Sequence, residues 1–514
     1  MGAILSKYLF YLSFLLLIPL TFAAYLQFFS DHLQPHATTA FAMALSVCLL
    51  CAFALRYTKP KPLHRREGIL LVVSIWLVTC FVSSLPFSLS RTLGPLDAYF
   101  EAMSGLTTTG ATLLCPKLYD AEGEIPHYIT NSHVPDKTYT FYGTVPSIRD
   151  ANGLILHSGI EAVNKAILLW RSLLQWVGGL GIVVIFLTVL PVLQVGGKFL
   201  YQAEMTGPIK EGITPRVKST SAQLWKLYLI LTLIEIGLLL PQVPIFDAIC
   251  ISLSNISTGG FSVRNDSIAS YNSSPVQWIV FLFMILGSIN FSLYFHPKFK
   301  LTPDFFLFLS IAILGCLLVS IPLIGIYPLG TALSEGSFQA LSVQTSTGFV
   351  TANYDQWPFV SQMFMLLLMF VGGMSGSTAG GIKTSRFYIL FKIVQHRLES
   401  IYRPDSVRTL RIGTAEVDDK NALTVLSFFC IVLFFVVLGT VSLVVDGIDP
   451  ETSLGLIACL LNNVGTAFRA AGPTNSFAFL SPVSEILSIF WMLLGRLEYY
   501  VVLLLLLPSF WRNR

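Results

Sequence analysis

The sequence predicts an all-α integral membrane protein with ten transmembrane helices and four re-entrant pore helices, arranged as four similar units around one axis. Three observations predict this fold: the composition, ten long apolar runs, and four shorter apolar segments that each precede a polar loop containing glycine. Of the 514 residues, 54% are hydrophobic and 12% are charged, whereas soluble chains carry about 25% charged residues. A soluble enzyme is therefore excluded, and the net charge of +4 is too small to indicate nucleic-acid binding.

Ten apolar runs are long enough to cross the hydrocarbon core of a bilayer, which requires about 20 residues. The first run follows Lys7 and exceeds the usual apolar length of a signal peptide, so a retained span is favoured over a cleaved signal. The runs are 8–29, 38–56, 68–88, 164–193, 222–241, 275–296, 303–328, 358–395, 421–445 and 482–510.

Most of the 32 basic residues lie at the N-terminus, in the connections after even-numbered runs, or in the C-terminal tail. Examples are Arg65 and Arg66 after the second run and Lys198 after the fourth. Basic residues accumulate on the cytoplasmic side of a membrane. The pattern therefore predicts that both termini are cytoplasmic.

Four further apolar segments are too short to cross the membrane. They are 96–106, 245–256, 333–344 and 451–462, each about half the length of a span. Each follows an outward-going run and precedes an inward-going run, as a re-entrant helix would. Non-helical backbone after such a helix is tolerated at membrane depth where it lines an aqueous cavity, so the four segments predict one shared water-filled site.

Each short segment is followed by a small polar loop with a glycine. A bare cation crosses a membrane only where oxygen dipoles replace its water, and backbone carbonyls turned inward at a glycine do so without a fixed charge. Thr-Gly pairs are also ordinary turn residues, but four copies in register favour an ion filter. The candidate filter residues are Thr108, Thr109, Gly110, Ser257, Thr258, Gly259, Ser346, Thr347, Gly348, Asn463, Val464 and Gly465.

Several segments carry a resemblance to a known family. TTTGAT, ISTGGFS and TSTGFVTANYDQWP resemble the filter sequences of the Trk/Ktr/HKT superfamily of potassium transport proteins. WRSLLQWVGGLGIVVIFLTVLP from residue 170, GGMSGSTAGGIKTSRF from residue 372 and MLLGRLEYYVVLLLLLPSFW from residue 492 are similar to the bacterial Trk-system membrane subunit of the TrkH type. The two extra N-terminal spans fit that subunit as well.

This resemblance implies gated potassium uptake across the bacterial inner membrane by a homodimer. It implies K⁺ and Rb⁺ as permeant ions and a cytosolic nucleotide-binding regulatory subunit of the TrkA type as partner, with no cofactor bound by this chain. Relatives that favour Na⁺ tend to have serine at the first filter glycine, so Gly110 favours potassium. The implied units are two extra helices in 1–60 and pore repeats in 61–195, 196–298, 299–400 and 401–514.

Two segments depart from the family pattern. The polar and aromatic stretch 115–164 is longer than this connection usually is, and we expect it to form an extracellular cap. After Gly465 the chain reads Thr-Ala-Phe-Arg where relatives commonly have Gly-Pro, so we expect a different outer mouth at the fourth loop.

The run 358–395 is interrupted by a glycine-rich stretch, 372–381, whose composition does not sustain a regular helix. A break is expected, and the family places an intramembrane gate there; a kink with close helix packing is the alternative. A phosphate-binding loop is rejected because no strand precedes it and Ile382 displaces the lysine. The candidate gate residues are Gly372, Gly373, Gly376, Ser377, Thr378, Gly380 and Gly381, with Arg496.

Arg496 lies within the last apolar run, where a charge is costly unless it faces a cavity or a partner. We expect it to face the pore and contact the gate; the alternative is a salt bridge to Glu498. Glu101 and Glu335 supply either negative potential near the pore mouth or hydrogen-bond acceptors for loop amides. Glu235 and Asn290 are interpreted as partners in hydrogen bonds between helices, in preference to ion ligands.

The competing function is a K⁺/H⁺ or K⁺/Na⁺ symporter, for which Glu235 is the obvious intramembrane carboxylate. An intramembrane hydrolase is disfavoured because no serine, histidine or aspartate dyad is recognisable in the sequence. The eight scattered cysteines predict no disulfide framework, and the eight histidines show no spacing typical of a metal site.

Overall fold

The structure of the protein is a computed structural model, and it is dominated by α-helices. It describes residues 1–29, 36–58, 65–120, 123–130, 137–150, 153–192, 217–295, 302–402, 411–412, 415–416 and 419–512. The basic connections at 193–216 and 296–301, on which the predicted orientation partly depends, lie outside these residues.

The helices follow the apolar runs of the sequence. In chain order they are α1 (Gly2–Phe29), α2 (His36–Arg56), α3 (Arg65–Leu89), α4 (Pro95–Leu106), α5 (Lys165–Val192), α6 (Val217–Leu239), α7 (Ile245–Ile256), α8 (Ser274–Ser288), α9 (Pro303–Ser320), α10 (Leu329–Gln344), α11 (Phe359–Phe370), α12 (Thr384–Tyr402), α13 (Asp419–Val445), α14 (Pro450–Asn462), α15 (Pro482–Arg496), α16 (Tyr500–Leu506) and α17 (Pro508–Trp511).

Within the described part of the chain, six helices are long and apolar enough to cross a membrane: α1, α2, α3, α6, α9 and α13. Helices α8 and α11 are apolar but shorter, with 15 and 12 residues. The predicted total of ten crossings therefore stays a prediction.

Two of the ten apolar runs are interrupted in the structure. Helix α8 ends at Ser288, and a 3₁₀ turn follows at Phe291–Phe295. Helix α15 ends at Arg496, and the next helix begins only after Glu498 and Tyr499, whose φ values are 54° and 60°. The apolar runs 275–296 and 482–510 are therefore not continuous helices, since hydropathy alone does not distinguish a helix from an apolar turn.

The run 358–395 is broken as its glycine content predicts, between α11 and α12. The non-helical stretch 371–383 is called the glycine-rich loop below. In this loop the Met374 amide donates to the Ser288 carbonyl at 3.0 Å, and the Thr378 amide donates to the Gly287 carbonyl at 3.3 Å. These carbonyls lie at the end of α8 and have no partner within the helix. Their hydrogen bonds to the glycine-rich loop account for the end of α8 at Ser288.

The four short helices α4, α7, α10 and α14 each pack between the two helices that flank them in sequence. Each short helix also contacts the helix that follows the preceding short helix, and these contacts close into a circle: α5 contacts α7, α8 contacts α10, α11 contacts α14, and α15 contacts α4. The short helices are mostly buried, and the loops that follow their C-terminal ends contact one another. This packing brings the four glycine loops together.

The segment 115–164 forms antiparallel hairpins in its described parts, with β3 (His127–Thr130) paired to β4 (Thr138–Phe141). The Tyr139 hydroxyl donates to the Asp449 carboxylate and accepts a hydrogen bond from the Asp449 amide (3.0 Å). Burial and the hydrogen bond to Asp449 raise the pKa of Tyr139 to about 12, so the hydroxyl keeps its proton. The hairpin is thereby fastened to the start of α14. The remaining strands are β1 (Leu118–Tyr119), β2 (Glu124–Ile125), β5 (Ile148–Arg149), β6 (Ile155–His157), β7 (Arg411–Ile412) and β8 (Ala415–Glu416).

Candidate functional site

The four loops after the short helices share one backbone conformation. In each loop a residue other than glycine has a positive φ, and a glycine with positive φ follows two residues later. Positive φ is uncommon outside glycine, so four occurrences at the same offset identify equivalent positions. The pairs are Thr108 (53°) with Gly110 (84°), Thr258 (52°) with Gly260 (74°), Ser346 (54°) with Gly348 (78°), and Asn463 (54°) with Gly465 (99°).

This equivalence corrects the predicted register of the second loop by one residue. The Gly259 amide donates to the Ser254 carbonyl at 2.8 Å, as the Thr109 amide does to the Ser104 carbonyl at 2.9 Å. Gly259 therefore corresponds to Thr109, and Gly260 corresponds to Gly110. The predicted segment 257–259 becomes 258–260, because only the second of the two adjacent glycines takes the left-handed conformation.

The four glycines with positive φ pack against the carbonyl oxygens of the neighbouring loops. A Cβ atom on any of them would come closer than 3.0 Å to such an oxygen. Gly110 meets the oxygen of Gly259, Gly260 that of Thr347, Gly348 that of Val464, and Gly465 that of Thr109. The order runs from the first loop to the second, third and fourth and back to the first, so the loops form a closed ring, called the carbonyl ring below.

Hydrogen bonds between side chains stiffen the loops of the carbonyl ring. The Thr107 and Thr109 hydroxyls are 2.7 Å apart in the first loop, and those of Thr345 and Thr347 are 2.8 Å apart in the third. The Asn463 amide nitrogen donates to the Thr109 hydroxyl at 2.9 Å and so joins the fourth loop to the first. These hydrogen bonds are buried, which fixes the loops more firmly than solvent-exposed bonds would.

Two residues of α5 that the sequence interpretation missed contact the ring loops. Gln175 donates from Nε2 to the Gly259 carbonyl at 2.5 Å and accepts from the Phe261 amide at 3.0 Å. Arg171 donates to the Glu101 carboxylate at 2.8 Å and to the Ser262 carbonyl at 3.1 Å. A signal was present, because an arginine and a glutamine four residues apart in an apolar run share one helix face.

Of the two interpretations left open for Glu101, the contacts match the hydrogen-bond acceptor. Its carboxylate accepts from the Leu113 amide at 3.1 Å and from the Thr112 hydroxyl at 3.0 Å, and it pairs with Arg171. Glu335 accepts a hydrogen bond from the Thr351 hydroxyl. Both glutamates therefore hold the chain just after a ring glycine.

A cavity of about 390 Å³ lies on one side of the carbonyl ring. Its floor includes the four ring glycines, and its walls include Arg171, Arg264 and residues of the 115–164 segment. From that segment come Leu118, His127, Ile129, Phe141 and Ile160. The hairpins thus form a wall of the space directly in front of the ring, as the expected cap would.

The glycine-rich loop contacts the ring loops and the ends of the short helices. The Gly380 amide donates to the Ser346 hydroxyl at 2.5 Å, and the Thr378 hydroxyl donates to the Ile256 carbonyl at 2.9 Å. A Cβ atom on Gly380 would overlap the Asn462 carbonyl. The loop therefore touches the second, third and fourth units where the short helices end.

The other predicted gate residues shape the glycine-rich loop itself. Gly376 and Gly381 have positive φ values of 78° and 68°, and Gly372 donates from its amide to the Ile382 carbonyl at 2.9 Å. Gly373 packs against Ala379, and the Ser377 hydroxyl donates to the Met374 carbonyl at 2.6 Å. The loop folds back on itself, with its two ends side by side.

Arg496 joins the glycine-rich loop to α5. Its guanidinium donates to the carbonyl oxygens of Thr378 at 3.1 Å and of Gly178 at 2.9 Å. A Cβ atom on Gly178 would overlap the carbonyl of Leu106, the last residue of α4, so the arginine lies near the first unit. Glu498, the alternative partner considered for Arg496, forms a salt bridge with Arg386.

The intramembrane carboxylate Glu235 lies on α6 and is fully buried. It accepts a hydrogen bond from Asn255 on α7 at 2.5 Å, and Asn255 also donates to the Val280 carbonyl on α8 at 3.0 Å. This contact agrees with the interpretation of Glu235 as a partner between helices. Asn290 accepts from the Ser292 amide at 2.9 Å, within the turn that follows α8.

Comparison with known proteins places the chain among cation transporters. The TrkH family model, described as a cation transport protein, matches residues 121–305 and 302–512. The chain is 31% identical to the Trk system potassium uptake protein TrkH of Salmonella typhimurium, over 93% of this chain and 92% of that protein. It is 32% identical to the Trk system potassium uptake protein TrkG of Escherichia coli, over 89% and 88% of the two chains.

A solved structure is similar over the whole length. The crystal structure of the potassium transporter TrkH from Vibrio parahaemolyticus superposes with a TM-score of 0.80 at 29% sequence identity. The match covers 100% of this chain and 99% of that one.

Proposed function

The chain belongs to the TrkH family of cation transport proteins, a family of transporters and not of enzymes, and we propose that it is the pore-forming membrane subunit of a Trk-type potassium uptake system. The closed carbonyl ring is the observation that carries this proposal. Carbonyl oxygens from four loops that meet in one closed ring, backed by buried hydrogen bonds, can supply the oxygen dipoles that a dehydrated alkali cation requires. The potassium uptake function of relatives that are about 31% identical supports the same ion.

We infer that the selectivity filter consists of Thr108–Gly110, Thr258–Gly260, Ser346–Gly348 and Asn463–Gly465, with K⁺ and Rb⁺ as permeant ions. The neutral carbonyls replace the hydration shell without trapping the ion. The cavity of about 390 Å³ in front of the ring is then the outer vestibule, where hydrated ions collect before they enter. In this arrangement the 115–164 segment is an extracellular cap.

We propose that the glycine-rich loop, including 372–381, is the gate on the opposite side of the filter. It touches three of the four units, and Arg496 connects it to α5 next to the first unit. A positive guanidinium at this place also repels cations while the loop is closed. The proposed architecture has ten transmembrane helices and four pore helices in four repeats. We propose further that the protein is a homodimer in a bacterial inner membrane, with both termini in the cytoplasm and with a regulatory subunit of the TrkA type as partner.

The competing function, coupled symport through Glu235, has weaker support. The described hydrogen bond of Glu235 goes to Asn255 on α7, which places the carboxylate beside a pore helix and between membrane helices. A carboxylate that binds a coupling ion would have to exchange with the ion pathway. A helix-positioning role needs no such exchange.

Reconstitution of the purified protein in planar bilayers tests the proposal. With a K⁺ gradient, the current should reverse at the K⁺ Nernst potential, and a superimposed pH gradient should not move the reversal potential. A reversal potential that follows the pH or Na⁺ gradient would favour the symporter instead. Protein without K⁺ flux under any condition, despite a folded elution profile, would contradict the channel proposal.

A further inference from the structure

The four filter loops differ at the residue just before the ring glycine. In the first and third loops this residue is Thr109 or Thr347, and its hydroxyl pairs with the hydroxyl two residues earlier. The second loop keeps a hydroxyl at the earlier place, Ser257, but has Gly259 at the later one. The hydroxyl pair that stiffens the other two loops therefore has no counterpart there.

Gln175 reaches the second loop from α5 at this place. Its Nε2 donates to the Gly259 carbonyl oxygen at 2.5 Å, and its Oε1 accepts from the Phe261 amide at 3.0 Å. One contact requires a donor and the other an acceptor, so the amide has only one orientation that satisfies both. The side chain is fully buried, and it spans the ring glycine Gly260 by bonding to the residue on each side.

Gly259 and Gln175 also fit each other sterically. A Cβ atom on Gly259 would lie 2.5 Å from Cδ and 2.8 Å from Nε2 and Oε1 of Gln175. The φ of Gly259 lies outside the left-handed region, so its backbone accepts a side chain. The glycine is therefore required by the glutamine and not by the loop conformation.

We propose that Gln175 is a specificity-determining positioning residue that takes the place of the missing hydroxyl pair and fixes the Gly259 carbonyl in the ring. This inference rests on the proposed role of the carbonyl ring as the ion filter. A carbonyl that is held in place keeps its distance to the axis, whereas a released loop adapts to a smaller ion. Gln175 thus contributes to the discrimination between K⁺ and Na⁺ without being an ion ligand.

Three variants test this assignment in planar bilayers, with the permeability ratio of Na⁺ to K⁺ as the readout. Gln175→Leu removes both hydrogen bonds at similar volume, and the ratio should rise about fivefold or more, as expected for an unsatisfied buried carbonyl. Gly259→Thr alone should lower K⁺ current because its side chain overlaps Gln175. The double variant Gln175→Ala with Gly259→Thr makes room for a hydroxyl pair with Ser257 and should return the ratio to within about twofold of the wild type.

Gln362→Leu is the matched control. Gln362 is also buried and donates to two backbone carbonyls, those of Asp355 and Trp357, both at 2.9 Å and both outside the carbonyl ring. It should leave the permeability ratio unchanged.

A wild-type ratio in Gln175→Leu would overturn the assignment, as would a double variant no more selective than Gly259→Thr alone. The comparison of the double variant with Gly259→Thr tests the role of Gln175 even where Gln175→Leu fails to fold. A wild-type protein that does not conduct K⁺ selectively would refute the filter proposal itself, and that result is visible before any variant is made.

Discussion

Replacing Arg496 with alanine should raise the leak of K⁺ through the closed protein. The guanidinium donates to Thr378 in the glycine-rich loop and to Gly178 on α5, so it connects the proposed gate to a helix that packs against α4. A hydrogen bond from a charged donor contributes about 1.5–3 kcal/mol. Because 1.4 kcal/mol is a factor of ten in an equilibrium constant, loss of the Thr378 contact should raise the open fraction about 10- to 150-fold while that fraction is small.

The loop should keep its fold in this variant. The Thr378 hydroxyl still donates to the Ile256 carbonyl, and the Gly380 amide still donates to the Ser346 hydroxyl. The effect is therefore expected on the position of the loop and not on the stability of the whole protein. The melting temperature in detergent should change little, and a large decrease would show that the leak comes from unfolding.

The assay is ⁸⁶Rb⁺ uptake into liposomes that contain the membrane subunit alone, with Arg496→Lys as the matched comparison. Lysine keeps the positive charge but cannot donate to two carbonyls in the fixed planar geometry of a guanidinium. A lock made of hydrogen bonds predicts that lysine leaks almost as much as alanine, whereas a purely electrostatic barrier predicts that lysine stays closed. Basal uptake within twofold of the wild type in Arg496→Ala would refute both.

Three further substitutions test other parts of the molecule. Gly110→Ser should lower the discrimination of K⁺ over Na⁺ by about tenfold or more in reversal-potential measurements, because the φ of Gly110 is 84° and a Cβ atom there overlaps the Gly259 carbonyl. The control Gly237→Ser, where a Cβ atom would meet nothing within 4 Å, should leave this discrimination unchanged. Glu101→Gln should lower the free energy of unfolding by about 3–5 kcal/mol, because Arg171 stays charged and buried without its ionic partner. The control Glu124→Gln, in an exposed pair with Lys117, should lower it by less than about 1 kcal/mol. Tyr139→Phe should speed hydrogen exchange in β3 and β4 about tenfold, because it removes the hydrogen bonds between Tyr139 and Asp449. Tyr128→Phe, at a side chain that is 61% exposed, should not.

Hydropathy predicted where helices lie but not where they stop inside an apolar run. The glycine content of 372–381 correctly indicated a break, because glycine weakens a helix through its own backbone entropy. The break after Ser288 has a different cause. At Ser288 the freed carbonyls accept hydrogen bonds from the glycine-rich loop, which is distant in sequence. A contact of that kind leaves no trace in local composition.

The sequence indicated that the four loops come together, as their contacts show, but not their exact register. The second loop offers two adjacent glycines, and the sequence pattern fits either of them. The structure distinguishes them because Gly260 has a φ of 74° and packs on the Thr347 carbonyl, while Gly259 packs on Gln175. The register thus depends on a side chain from another helix, 84 residues away in sequence from the carbonyl it holds.

Isolated polar residues in apolar helices are more informative about this candidate site than the glycines alone. Burying a polar group costs free energy unless it is hydrogen-bonded, and the backbone of a helix is already satisfied by its own hydrogen bonds. A long polar side chain on such a helix therefore finds its partners at a loop, at a helix end, at another polar side chain, or at a carbonyl of a neighbouring helix. Arg171, Gln175 and Arg496 each donate to backbone carbonyls at or near the ring. Their positions in the sequence consequently mark the helices that surround the non-helical backbone, before any coordinates are known.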